Sequence, residues 1–150
     1  MVRFYIIIAA MLGLIAGPPT IAAAQDKKIE VLNLDTIVKN NPLQPGGDTA
    51  AIVTTLRAGD NELGILVMSK NRLHHHARQD HVLYLARGSG MAKLENTSGQ
   101  IETRPIKPGD ILSLPHGTKH AFEKTGSEDL VFLVVAGPGS DSPEDTTFHE

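Results

Sequence analysis

From Thr49 to about Ala136 the chain reads as short apolar-rich runs separated by turn residues, with no strong helix-period segment between them. The predicted strands cover residues 50–57, 62–69, 73–76, 81–87, 90–95, 100–105, 110–114, 120–124 and 130–136. Turn signals divide them: Ala58-Gly59-Asp60-Asn61, Arg87-Gly88-Ser89-Gly90, Asn96-Thr97-Ser98-Gly99, Pro108-Gly109-Asp110 and Gly126-Ser127. Short strands recurring every ten residues or so, with turns between, predict an all-β sandwich or barrel. Upstream, residues 28–33 predict a short strand, 35–40 a helical turn, and Pro42, Pro45 and Gly46-Gly47 an irregular loop. Residues 25–48 are thus an N-terminal strand and loop segment ahead of a barrel at 49–136. Residues 137–150 are acidic and rich in Gly, Pro and Ser, and predict a flexible tail. No internal repeat is visible, so one barrel is expected.

The first residues follow another pattern. Arg3 precedes an apolar run over residues 4–16, which Gly17-Pro18-Pro19 breaks. Ala22-Ala23-Ala24 then supplies small residues for cleavage, so residues 1–24 read as a secretory signal peptide and Gln25 as the mature N-terminus. The 13-residue run falls short of the roughly 20 residues that a spanning helix needs. A secreted or periplasmic protein, with no membrane attachment after cleavage, is the expectation. The chain has no cysteine, which excludes disulfides, a thiolate zinc site, a cysteine nucleophile and a lipoprotein anchor. A length of 150 residues fits a single domain. Aromatics make up 4% of the chain, so the core must be built from Val, Ile, Leu and Ala. The net charge of −3 is spread over interspersed acids and bases, and no basic stripe marks a nucleic-acid surface.

The seven histidines change the picture, because most of them cluster from His74 to His120. On a strand, alternate side chains share a face, so His74 and His76 point one way and His75 the other. Two imidazoles so placed reach one metal ion, whereas His75 reads as solvent-facing or intersubunit. After the turn Ala77-Arg78-Gln79-Asp80 the alternation is reset, and parity leaves both Asp80 and His81 open as neighbours of that ion.

Gly64, His74-x-His76, four residues, His81, six residues and Gly88 form one spaced set. Gly109, five residues, Pro115-x-Gly117, two residues, His120, three residues and Lys124 form a second. Together they resemble the two motifs of the cupin family. The departures are His81 at the usual glutamate position, Lys124 at the usual asparagine, and a longer spacing after the first glycine. The resemblance implies a six- to eight-stranded jelly-roll barrel. It further implies one divalent metal ion near the open end, held by His74, His76, His81 and His120, with Asp80 as the substitute for His81. Imidazoles suit iron, zinc, copper and nickel, and manganese is admitted by the resemblance. Four neutral ligands leave the ion its full charge and favour anionic groups in any open position.

Two further residues are candidates for contact with a substrate. Arg72 shares strand parity with His74 and can anchor a carboxylate, although a solvated arginine at the strand entrance is the plainer reading. Phe122 shares parity with His120 and is placed on the pocket wall. Met68, Leu83 and Leu85 are further wall or core candidates, Tyr84 should face away, and His116 should be exposed in its turn. No catalytic residue is assigned. A metal-dependent enzyme acting on a small organic substrate, dioxygenase-like, is the first functional expectation. The alternatives are a non-catalytic exported barrel that binds a sugar acid or other small metabolite, and an isomerase or lyase. The last two need a proton-transfer group beside the metal, and no carboxylate or tyrosine is placed there by the pattern. Homodimerisation is implied by the resemblance alone.

Overall fold

The computed structural model describes residues 29–44, 49–58, 61–137 and 144–150. The expected signal peptide at 1–24 lies outside them, as does Lys28 of the expected first strand. Residues 29–33 form no strand. Asn33 instead caps helix α1 (Leu34–Asn40), its side-chain oxygen accepting from Thr36 N at 3.0 Å. Such a cap contributes about 1 kcal/mol. Among the described residues ten strands follow: β1 (Ala50–Ala58), β2 (Asn61–Met68), β3 (His74–His76), β4 (His81–Arg87), β5 (Gly90–Glu95), β6 (Ile101–Ile106), β7 (Ile111–Leu114), β8 (His120–Lys124), β9 (Leu130–Ala136) and β10 (Thr146–Phe148).

The strands form two five-stranded antiparallel sheets, in the orders β1-β2-β9-β4-β7 and β10-β3-β8-β5-β6. Alternation decides which side chains enter the space between them. On β4, His81, Leu83 and Leu85 are buried while Val82 and Tyr84 are exposed. β9 is apolar almost throughout because it is a central strand whose inner face is buried and whose outer face is covered at Val131 and partly at Leu133, leaving Val135 exposed. One face meets Met68, Leu85, Phe122 and Leu114 in the main core. The other face, with Val131, joins Ile65 and Val67 beneath Leu34, Ile37 and Val38 of α1. Phe132, fully buried at the centre of the main core, contributes about 2–3 kcal/mol by its removal from water.

The last strand departs from the sequence pattern, which predicts a flexible tail over 137–150. Within the described part of that stretch, β10 pairs antiparallel with β3, joining Thr146 to His76 and Phe148 to His74. β-Branched and aromatic side chains suit a sheet, and β3 offers an edge to receive them. The N–H of His149 also donates to Leu73 O at 2.8 Å, so the pairing extends beyond the named strand.

Candidate metal centre

Four histidines open or occupy three strands whose inner faces meet. His74 and His76 flank His75 on β3, and burial follows the alternation: the outer two are buried and His75 is half-buried. His120 opens β8 directly opposite His74, and His81 opens β4. The turn before β8 is tied to β3 through Gly117, whose N–H donates to His76 O at 2.7 Å. Gly117 has φ +76, a conformation that glycine adopts without strain. Asn71 secures the other flank, its Oδ1 accepting from Phe122 N at 2.7 Å.

One ring nitrogen each from His74, His76 and His120 lies within 4.8 Å of the others, a group that can hold a metal ion. The ring centroids of His74 and His120 are 4.3 Å apart. Nδ1 of His74 is 2.8 Å from Arg72 O, and Nδ1 of His120 is 2.9 Å from Thr118 O. A carbonyl only accepts, so each Nδ1 is the protonated nitrogen and each Nε2 carries the lone pair that a metal needs. Burial, ahead of the charge of neighbouring histidines, pulls His120 down to about 3 and His81 down to about 4. His74 is also lowered, chiefly by burial and against the effect of its bond to Arg72 O. At neutral pH these three imidazoles are uncharged, and no proton has to leave before a cation binds.

His81 shares the wall but stands apart from the group of three. Its ring centroid is 4.1 Å from that of His76, yet its nitrogens fall outside the 4.8 Å set. Its Nε2 is buried and lacks a hydrogen-bond partner, which is costly unless another ligand satisfies it. Neutral imidazoles, fixed tautomers and this unsatisfied nitrogen together fit a divalent ion.

The histidines line a cavity of about 240 Å³. Met68, Leu66, Leu83, Phe122, Val134 and Phe148 make most of its apolar wall, and none of the described residues lining it is Lys, Arg, Asp or Glu. Phe122 therefore sits where its strand parity places it, beside His120 with ring centroids 5.9 Å apart. Leu85 belongs to the core and not to this wall.

Arg72 is not on this wall. It is exposed, and its guanidinium lies 4.8 Å from the centroid of the Phe148 ring. Strand β3 begins only at His74, so alternation does not extend back to residue 72. Asp80 does not face the site either. It is exposed and takes hydrogen bonds from the backbone and ring of His116, which hold its carboxyl below the usual range. Two residues near the site carried no sequence signal for it. Asn71 braces β8, and Asp145, wholly buried, lies with Oδ2 3.6 Å from His76 Nδ1.

Residues 67–136 match the Cupin_2 family model, the cupin domain. The chain is 25% identical over 120 residues to an acireductone dioxygenase of Bacillus cytotoxicus, covering 77% of this chain and 70% of that protein. It is 33% identical over 64 residues to a glucose-6-phosphate isomerase of Thermococcus gammatolerans, covering 41% of this chain and 34% of that protein. The chain thus spans from a third to seven-tenths of the length of these curated relatives. Among solved structures, a conserved protein with a double-stranded β-helix domain from Klebsiella pneumoniae matches with a TM-score of 0.60 at 16% identity, covering 82% of this chain and 99% of that one. The all-β architecture of two antiparallel sheets is the fold of that double-stranded β-helix protein, and residues 67–136 are similar to the cupin domain.

Proposed function

We propose that this cupin barrel is a metal-dependent enzyme of dioxygenase type acting on a small organic substrate. The observation that carries the reading is the convergence of His74, His76 and His120 at the wall of an otherwise uncharged cavity. Similarity to acireductone dioxygenases supports dioxygen as the co-substrate. His74, His76 and His120 would hold a divalent ion, which would supply Lewis acidity and, if redox-active, one-electron chemistry. The chain's own residues do the rest. His74 and His120, pinned at Nδ1, keep their Nε2 atoms aimed and uncharged. Met68, Leu83, Phe122 and Val134 exclude water and clasp the apolar part of the substrate. With no charged side chain on the described wall, an anionic head group is balanced by the ion. A cavity of about 240 Å³ suits a small-molecule substrate.

A second reading rests on His81. Its unsatisfied Nε2 is a candidate fourth ligand if the ring turns toward the group, and four protein ligands on a tetrahedral ion make a closed, non-catalytic site. Oxygen uptake separates the two readings. Protein loaded with iron(II) or nickel(II) is screened against small enediols and 2-hydroxy or 2-oxo acids. Substrate-dependent consumption of dioxygen that disappears in His120→Ala supports the enzyme. A loaded protein that binds these compounds without consuming oxygen supports the binding barrel. We further propose that the chain acts outside the cytoplasm. An N-terminus beginning at Gln25 in the mature protein is the expected result, and retention of residues 1–24 would contradict it.

A further inference from the structure

The strand at the C-terminal end brings to the histidines a group that metal binding by imidazoles alone does not use. Asp145 is wholly buried, and no other acid among the described residues is buried. A buried carboxylate is tolerated only with partners, so its partners define its role. Oδ1 accepts from Arg78 N at 2.9 Å and from Arg78 Nε at 3.3 Å. The backbone carbonyl of Asp145 accepts from Ala77 N at 2.8 Å. These contacts anchor the segment and involve Oδ1 and the backbone only. Oδ2 makes no hydrogen bond and faces His76, 3.6 Å from its Nδ1. The hydroxyl of Thr146, the register partner of His76, is 3.5 Å from the same nitrogen. His74 and His120 turn Nδ1 to carbonyls of their own segments, two residues earlier. For His76 the carboxylate arrives from a distant part of the chain.

We infer that Asp145 is a positioning residue for the metal centre: its Oδ2 accepts the Nδ1–H of His76 and keeps that ring in the tautomer whose Nε2 is a ligand. The inference rests on the metal-binding reading and adds to it a source of charge. His74, His81 and His120 are held neutral by burial, and Asp145 places a carboxylate immediately behind His76, raising its basicity toward a cation. Closing the contact to an N–H···O⁻ distance of about 2.8 Å requires a movement of less than about one ångström.

Two measurements on the full chain test this. Long-range proton–nitrogen NMR of the histidine-labelled, metal-free protein reports which nitrogen of His76 carries the proton. Protonation at Nδ1 is expected in the native protein, with a shift toward Nε2 in Asp145→Asn. Arg78→Ala, which removes the anchoring guanidinium and keeps the carboxylate, should leave the Nδ1–H tautomer in place. Zinc affinity, measured by competition with a chromophoric chelator, should fall roughly 10–100-fold in Asp145→Asn while the thermal midpoint of the metal-free protein stays near native. If Asp145→Asn does not fold, the native tautomer still decides. A native protein that binds zinc with His76 protonated at Nε2, or a folded Asp145→Asn that binds zinc as tightly as native, overturns the inference alone. A native protein that binds no zinc overturns the metal-binding reading and the role of Asp145 with it.

Discussion

Acid should destabilise the metal-free protein well before its carboxylates are titrated. His81 and His120 are held neutral at about 4 and about 3, against an ordinary value of 6.5. The unfolded chain therefore binds protons that the folded chain refuses, and stability rises with pH through this window. It is fully present above about 6.5 and is lost as the pH falls toward the folded values. Between about pH 8 and about pH 5 each of these histidines removes about 2 kcal/mol, so the pair removes about 4 kcal/mol. The figure depends little on how far below 5 the folded values lie, because the unfolded state alone titrates in that range. For a domain of this size about 4 kcal/mol corresponds to a fall of roughly 15 °C in thermal midpoint. Asp80, Glu95 and Glu102 are held below the usual carboxylate range by hydrogen bonds from His116, Lys119, Asn96 and Arg104, so they titrate mostly below the window. Thermal unfolding of chelator-treated protein across this range is the assay; His74, also lowered, adds to the slope, and His81→Leu should reduce the slope without abolishing it. A midpoint constant across the window would refute the placement of these rings as buried and neutral.

Three other outcomes are expected. His76→Ala should lose most bound metal while His75→Ala retains it, as measured by elemental analysis, because His76, unlike His75, points inward from β3. Gly90→Ala should cost at least about 2 kcal/mol in urea denaturation, since a Cβ there runs into the carbonyl of Glu123, whereas Gly126→Ala meets nothing within 4 Å and should be neutral. Phe122→Ala should cost about 3–5 kcal/mol and enlarge the cavity, which a shift in preference toward bulkier ligands would report.

The barrel was legible because its strands are local patterns. His81, Leu83 and Leu85 alternate with Val82 and Tyr84, and glycine-containing turns such as Asn96-Thr97-Ser98-Gly99 mark where the chain reverses. His74 and His76 were legible through parity on β3, and His120 through its place in the second motif of the resemblance. What lay beyond local pattern was not legible. Thr146-Thr147-Phe148 is only three residues long in a polar, acidic stretch, and becomes a strand because β3 presents an edge to it. The burial of Asp145 depends on Arg78, 67 residues away. The reach of alternation was also limited. It holds from His74 to His76, whereas Arg72 precedes the strand and turns outward onto Phe148. Parity left Asp80 and His81 both open and the resemblance favoured His81, which the three-dimensional arrangement puts beside His76 but outside the group within 4.8 Å.

The central claim is that His74, His76 and His120 hold one metal ion. Elemental analysis of protein purified without an affinity tag of histidines, together with His120→Ala prepared in the same way, tests it most directly. One equivalent of a divalent metal per chain, absent from a folded His120→Ala, is the predicted result. No metal in the native protein, even after incubation with iron, manganese, nickel, copper and zinc in turn, would contradict the claim and leave a barrel whose histidines serve another purpose.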